Sequence, residues 1–185
     1  MRDNIDEIPA GGVGIKIIGK IADELSYTPT SDGRNCLFLV KYYQQPELVP
    51  PQPSSQAGIF KRASDVLNRF NGLQKQRNPQ SGPISNQQIQ LNTDINAVAK
   101  VLSWLEQLDP LPIPEAVLHQ CKLAVVEGFT NAVRHAHKNL PRETPIELEI
   151  TVFNQRLEIK IWDRGRPFDF QAKLKEKLLE KSPFS

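Results

Sequence analysis

The sequence predicts an α+β chain folded as a two-layer α/β sandwich: one mostly antiparallel sheet with helices on one face. Two observations carry this. A pair of alternating strands joined by a turn stands near each end of the chain, and amphipathic helices rather than repeated βα units lie between them. Composition agrees, since 185 residues with 39% hydrophobic and 24% charged content suffice for one domain with a real core. The net charge of +2 gives no argument for a nucleic-acid or anionic-membrane partner. No apolar run approaches the roughly 20 residues that span a bilayer, and the acidic start MRDNIDEIPA lacks the apolar core of a signal peptide. A cytoplasmic protein is expected. Cys36 and Cys121, far apart and flanked by apolar residues, read as reduced core thiols.

In chain order, residues 1–43 hold a glycine loop, GGVGIKII, feeding a helix over about Ile15–Glu24. Two strands follow, over about 25–29 and 35–41. Asp32-Gly33 in SDGRN is the hairpin signal, because glycine tolerates positive φ. Residues 44–86 contain six of the fifteen prolines with many Gln and Ser, and read as a linker. Within it, IFKRASDVLNRF puts Ile59, Phe60, Ala63, Val66, Leu67 and Phe70 on one face of a short helix.

Residues 87–185 begin with an alternating strand, QIQLN. A helix over about Asp94–Leu108 should bury Val98, Val101, Leu102, Leu105 and Leu108. Pro114 suits the first turn of a long helix running to about His137, with Val117, Cys121, Ala124, Gly128 and Ala132 as its buried stripe. PIELEITV and RLEIKIWD, separated by FNQ, have hairpin spacing. The closing FQAKLKEKLLEKSPFS reads as a charged, exposed helix that fades out.

Three stretches carry chemistry. In VVEGFTNAVRHAH, Glu127 and Asn131 lie four residues apart on one helical face, flanking the buried stripe. A carboxylate there can orient or deprotonate a hydroxyl, and an amide oxygen can ligate Mg²⁺; a plain polar rim fits the same pair. His135 continues that column, to line a pocket or simply pack, whereas His135 and His137 do not face each other as metal ligands. In IKIWDRGRPFD, strand alternation points Asp163 inward with Leu157, Ile159 and Ile161. A buried carboxylate needs donors, such as the exocyclic amine of adenine; a self-capping Asp turn is the alternative. Gly165 allows close backbone approach or unusual φ. The opening GGVGIKII, with Gly12 and Gly14, offers backbone N–H groups to a phosphate. It is neither a Walker loop nor a Rossmann fingerprint, and a flexible hinge fits it equally.

Together these stretches resemble one family. EGFTNAVRHA is similar to the N box of the gyrase, histidine kinase and MutL ATPase superfamily, with its Bergerat fold. WDRGRPFD resembles the G1 box, and GGVGIKIIGKIADELSYTPTSDGRNCLFLVKYY resembles the G2 box with the closing helix and strands of the anti-sigma factor serine protein kinases. The resemblance covers about 1–43 and 87–180. Its order departs from the family, in which the N box and G1 box precede the G2 box and closing hairpin. Joining KLLEKSPFS to MRDNIDEIPAGGVGIKII would restore that order, so the chain reads as circularly permuted, cut within the lid over the nucleotide and rejoined through the linker. New termini are well tolerated at loop tips, and a 43-residue flexible linker spans about 35 Å. A domain-swapped homodimer, or a chain straddling two adjacent domains, remains an alternative.

The resemblance implies ATP and Mg²⁺ as cofactors. Asn131 would ligate the metal and Asp163 would hold the adenine amine. Gly165 would make room for the base, and Gly12 and Gly14 would close over the phosphates. Glu127 would act as the catalytic base or orienting group toward a serine hydroxyl. It further implies two partners: an anti-sigma-factor antagonist (a STAS protein) as substrate, and a sigma factor. A nucleotide-binding adapter without phosphotransfer, or a histidine-kinase-type catalytic domain, is the alternative.

Overall fold

The structure, a computed structural model, describes residues 13–45 and 82–179. The helix expected over 59–70, Gly12, and residues 180–185 lie outside the described residues. Residues 13–45 and 83–179 belong to one compact unit.

The first helix, α1 (Val13–Ile21), buries Ile15, Ile18 and Ile21, the three- and six-residue spacing that keeps one face inward. It ends three residues before the sequence suggested, and Glu24 already opens strand β1 (Glu24–Pro29). Strand β2 (Asn35–Tyr42) returns antiparallel to it. The turn depends on Gly33, at φ +79°, and on the Asp32 carboxylate, which accepts from the Thr30 hydroxyl, the Arg34 backbone N–H and the Arg34 guanidinium.

Strand β3 (Ser85–Asn92) begins three residues earlier than the QIQLN reading. Asp94 then caps a short 3₁₀ turn, accepting from the Asn96 N–H at 3.0 Å, before helix α2 (Val98–Leu105). Helix α2 buries Val101, Trp104 and Leu105. Leu102, expected inside, is 48% exposed; Trp104 takes the inward place, a rotation of the face that apolar periodicity alone did not separate.

Helix α3 (Glu115–Asn131) starts directly after Pro114, whose carbonyl accepts from the Leu118 N–H at 2.9 Å. It buries Leu118, Cys121, Ala124, Val125, Gly128 and Phe129, with Val117 packed at the edge. Its expected last turn is π-helical over Ala132–Ala136, closed by the His137 N–H on the Ala132 carbonyl. Strands β4 (Pro145–Val152) and β5 (Arg156–Asp163) form the second hairpin, and helix α4 (Phe170–Leu179) closes the described chain.

The five strands form one antiparallel sheet in the order β1-β2-β5-β4-β3. Alternation sends Leu37, Leu39, Leu91, Ile146, Leu148, Ile150, Leu157, Ile159 and Ile161 toward the helices, where they meet Leu105, Val125 and Phe129 in a single core. Each fully buried side chain of this size contributes about 1.5–3 kcal/mol. Cys121 lies in that core, but Cys36 pairs with Trp162 on the opposite face of the sheet and is only half-buried, which corrects its assignment as a core thiol. No helix among the described residues is long and apolar enough to cross a membrane.

Candidate nucleotide-binding site

Helix α3 can lie close to the sheet because Gly128 has no side chain: a Cβ there would collide with Ile161 and touch Leu37. This approach sets the next polar residues, one turn on, at the rim of the core. Asn131, His135 and Asp163 line one cavity of about 400 Å³. Its apolar wall comes from Ile15 and Ile18 of α1, Leu37 of β2, Ile161 of β5 and the aromatic residues Tyr27, Phe168 and Phe170. Largely apolar walls with a few polar groups are usual for small-molecule sites.

Glu127 stands beside this cavity rather than on its wall. A Cβ on Gly14 would come within 2.7 Å of Glu127 Oε2 and 2.9 Å of the Asn131 amide atoms. The start of α1 therefore rests directly on the Glu127/Asn131 pair, whose side-chain ends a Cβ there would displace. Gly165 makes its close approach to protein: a Cβ there would lie 2.7 Å from the Ala136 carbonyl oxygen and 2.9 Å from its Cα. The loop after β5 is thus pressed onto the π-helical turn.

Asp163 is 5% exposed, with the inward parity that strand alternation predicts. Its Oδ1 accepts from the Gly165 N–H (2.8 Å), the Asn35 amide (3.0 Å) and the Tyr27 hydroxyl (3.2 Å), and its Oδ2 accepts from Tyr27 (3.0 Å). The self-capping contact and two donors from the opening segment therefore coexist. Burial, reinforced by the neighbouring carboxylate, holds the Tyr27 phenol well above its ordinary pKa, so it stays a donor. Burial, with Arg134 and Lys138 nearby, lowers the pKa of His135, favouring the neutral imidazole.

Wall residues that the sequence did not single out include Tyr27, Phe168, Phe170, and Lys173 and Lys177 of α4. The lysines sit four apart, so one helical face brings both cations to the cavity. That i,i+4 spacing was the available signal, but a lysine-rich amphipathic helix shows the same spacing when its charges merely face water. Helix α4 is seated by Leu174, which occupies the space a Cβ on Gly19 of α1 would need. Asp169 caps it, accepting from the Ala172 N–H at 2.9 Å. The helix is largely exposed, as read, but one face of it is docked. His137, set aside as a metal ligand, has both ring nitrogens engaged, with the Thr93 hydroxyl and the Arg164 N–H, each at 2.7 Å.

Among known proteins, the chain is similar to the serine-protein kinase RsbW of Bacillus licheniformis, 42% identical over 59 residues covering 32% of this chain and 37% of the relative. It is 40% identical over 55 residues to serine-protein kinase RsbW of Staphylococcus epidermidis, covering 30% and 35%. It is 39% identical over 56 residues to that of Bacillus subtilis, covering 30% and 34%. The aligned stretch thus spans about a third of the length of each relative. No solved structure gives a significant match. Residues 91–183, which carry α2 and α3, the second hairpin and α4, match the histidine kinase-like ATPase domain, and the chain belongs to that family.

Proposed function

We propose that the chain is an ATP-dependent serine protein kinase that acts as an anti-sigma factor. In this reading it phosphorylates a STAS-domain antagonist and binds a sigma factor when that antagonist is unavailable, as a cytoplasmic partner switch. The observation that carries the reading is a single cavity with Asn131 from helix α3 and Asp163 from strand β5 on its wall. Its fit to ATP is chemical. A buried carboxylate in an apolar wall suits the amine of adenine, and two lysines on the same lining suit phosphates. Mg²⁺ prefers hard oxygen donors and, when bound, supplies charge neutralisation for phosphate groups; the Asn131 amide oxygen is the donor offered here.

The chain's own residues then divide the work. Asp163 binds and orients the base. Asn131, packed beneath Gly14, would hold the metal ion, and Gly14 at the start of α1 would close over the phosphates, with Gly12 taking the same role by the resemblance. Glu127, beside Asn131, orients or deprotonates the attacking serine hydroxyl, and chemistry of this kind is mostly positioning. We further read the chain as circularly permuted within one molecule. The support is that β2, from the opening residues, is hydrogen-bonded to β5, from the closing residues, along eight paired positions.

Incubation with Mg-ATP and a cognate STAS antagonist tests the kinase. Serine phosphorylation is expected, and Glu127→Ala should abolish it while ATP still binds. ATP binding without transfer to any antagonist would replace the kinase with a nucleotide-binding adapter. Sedimentation at micromolar concentration tests the permutation: an obligate dimer that exchanges its opening segments would replace it with a swapped assembly.

A further inference from the structure

Asp163 is not an isolated acceptor. Its Oδ1 already takes three donors, while Oδ2 takes only the Tyr27 hydroxyl among the described residues. A carboxylate offers about four lone-pair positions, so the capacity left for a ligand is concentrated at Oδ2. Two side chains from the opening segment create this asymmetry. Asn35, almost fully buried, donates both to Oδ1 and, at 2.9 Å, to the Gly165 carbonyl, tying the carboxylate to its own loop. Tyr27 donates across both oxygens, and its ring packs in a three-ring cluster with Phe168 (centroids 5.0 Å apart) and Phe170 (5.6 Å). The hydroxyl therefore comes from a braced platform.

Resting on the nucleotide reading above, we propose that Tyr27 is a positioning residue for base selection. With Asn35 it fixes the Asp163 carboxylate so that one acceptor position admits a purine carrying an exocyclic amine and rejects one carrying an oxo group there. The rejection follows from chemistry: an ionised carboxylate only accepts, so an oxo group opposite it meets repulsion and no hydrogen bond. Without the Tyr27 hydroxyl the carboxylate can rotate or take up water, and the choice between bases is blunted.

Calorimetric titration of the full chain with Mg-ATP and with Mg-ITP, which carries an oxo group where ATP carries the amine, decides this. Tyr27→Phe keeps the ring and removes only the hydroxyl. It should weaken ATP binding by about tenfold, leave ITP nearly unchanged, and so lower the ATP/ITP preference by about tenfold. The ratio is the proper readout, because any fraction of unfolded chain weakens both affinities by the same factor and cancels. Asp163→Asn serves as the reference and should also erase the preference. If Asp163→Asn erases it and Tyr27→Phe leaves it intact, Tyr27 is a packing residue and the proposal is overturned. If Asp163→Asn itself leaves the preference intact, base recognition by Asp163 falls, and the proposal with it.

Discussion

His137 shows how a residue can be visible in the sequence while its task is not. It is 1% exposed. Because Nε2 accepts from the Arg164 N–H, the ring proton belongs on Nδ1, which donates to Thr93; the Thr93 hydroxyl in turn donates to the Thr144 carbonyl at 2.7 Å. One imidazole thereby ties the loop after Asp163 to the residue following β3 and to the approach of β4. Burial, assisted by Arg164 and opposed by Asp163, lowers its pKa. A group whose folded pKa is depressed contributes stability that is complete above its unfolded value and lost as pH falls. Melting temperature should accordingly be flat above about pH 7 and fall below about 6.5. His137→Gln should flatten that acid limb while costing about 1–3 kcal/mol at neutral pH through unpaired groups; an unchanged limb in thermal melts would assign it elsewhere. The site glycines predict a second contrast. At Gly165 a Cβ meets the Ala136 backbone, which cannot give, whereas at Gly14 it meets the ends of the Glu127 and Asn131 side chains. Gly165→Ala should cost about 1–3 kcal/mol in denaturant titrations. Gly14→Ala should be nearly neutral in stability yet weaken ATP binding, since the displaced atoms are those of the site.

Elements marked by local spacing and turn chemistry were legible, and features defined by what they touch were not. The α3 stripe and the two hairpins follow from spacing and turn chemistry, and Asp163 faces inward as its parity with Ile159 and Ile161 requires. The π-helical turn over Ala132–Ala136 left no such trace, because its one extra residue serves the contacts of Ala136 with Gly165 and of His137 with Arg164. Helix α4 is the clearest case. Its composition is that of a solvated helix, yet Leu174 seats it on Gly19 and one face brings Lys173 and Lys177 to the cavity. A partner's missing Cβ is information no single segment contains. If those lysines meet phosphates, the Lys173→Gln/Lys177→Gln double variant should weaken ATP binding by about tenfold and leave adenosine binding unchanged. Equal losses for both ligands in a titration would show that α4 merely encloses the base.

At the scale of the whole molecule, the sheet order explains how the opening and closing segments of the chain line one cavity. Strands β5, β4 and β3 come from the closing half, and the opening hairpin adds at the β5 edge, aligning Asn35 with Asp163. That edge would otherwise expose unpaired backbone groups beside the carboxylate. The end of β2 and the start of β3 lie at the same end of the sheet, three strand spacings or about 14 Å apart. At the opposite side, α4 touches α1 through Leu174 and Gly19. The fold therefore constrains neither connection strongly, and lengthening a loop costs only about 0.6 kcal/mol per doubling. A rearranged chain starting at residue 83, running to 185 and continuing through 1–45 should then fold with a melting temperature within about 5 °C of the original, since every described contact within the unit survives the new connection. Asp163→Ala should weaken ATP binding by the same factor in the rearranged chain as in the original. Loss of cooperative melting in the rearranged chain would mean that the present connectivity, and not the contacts between the two halves, holds the sheet together.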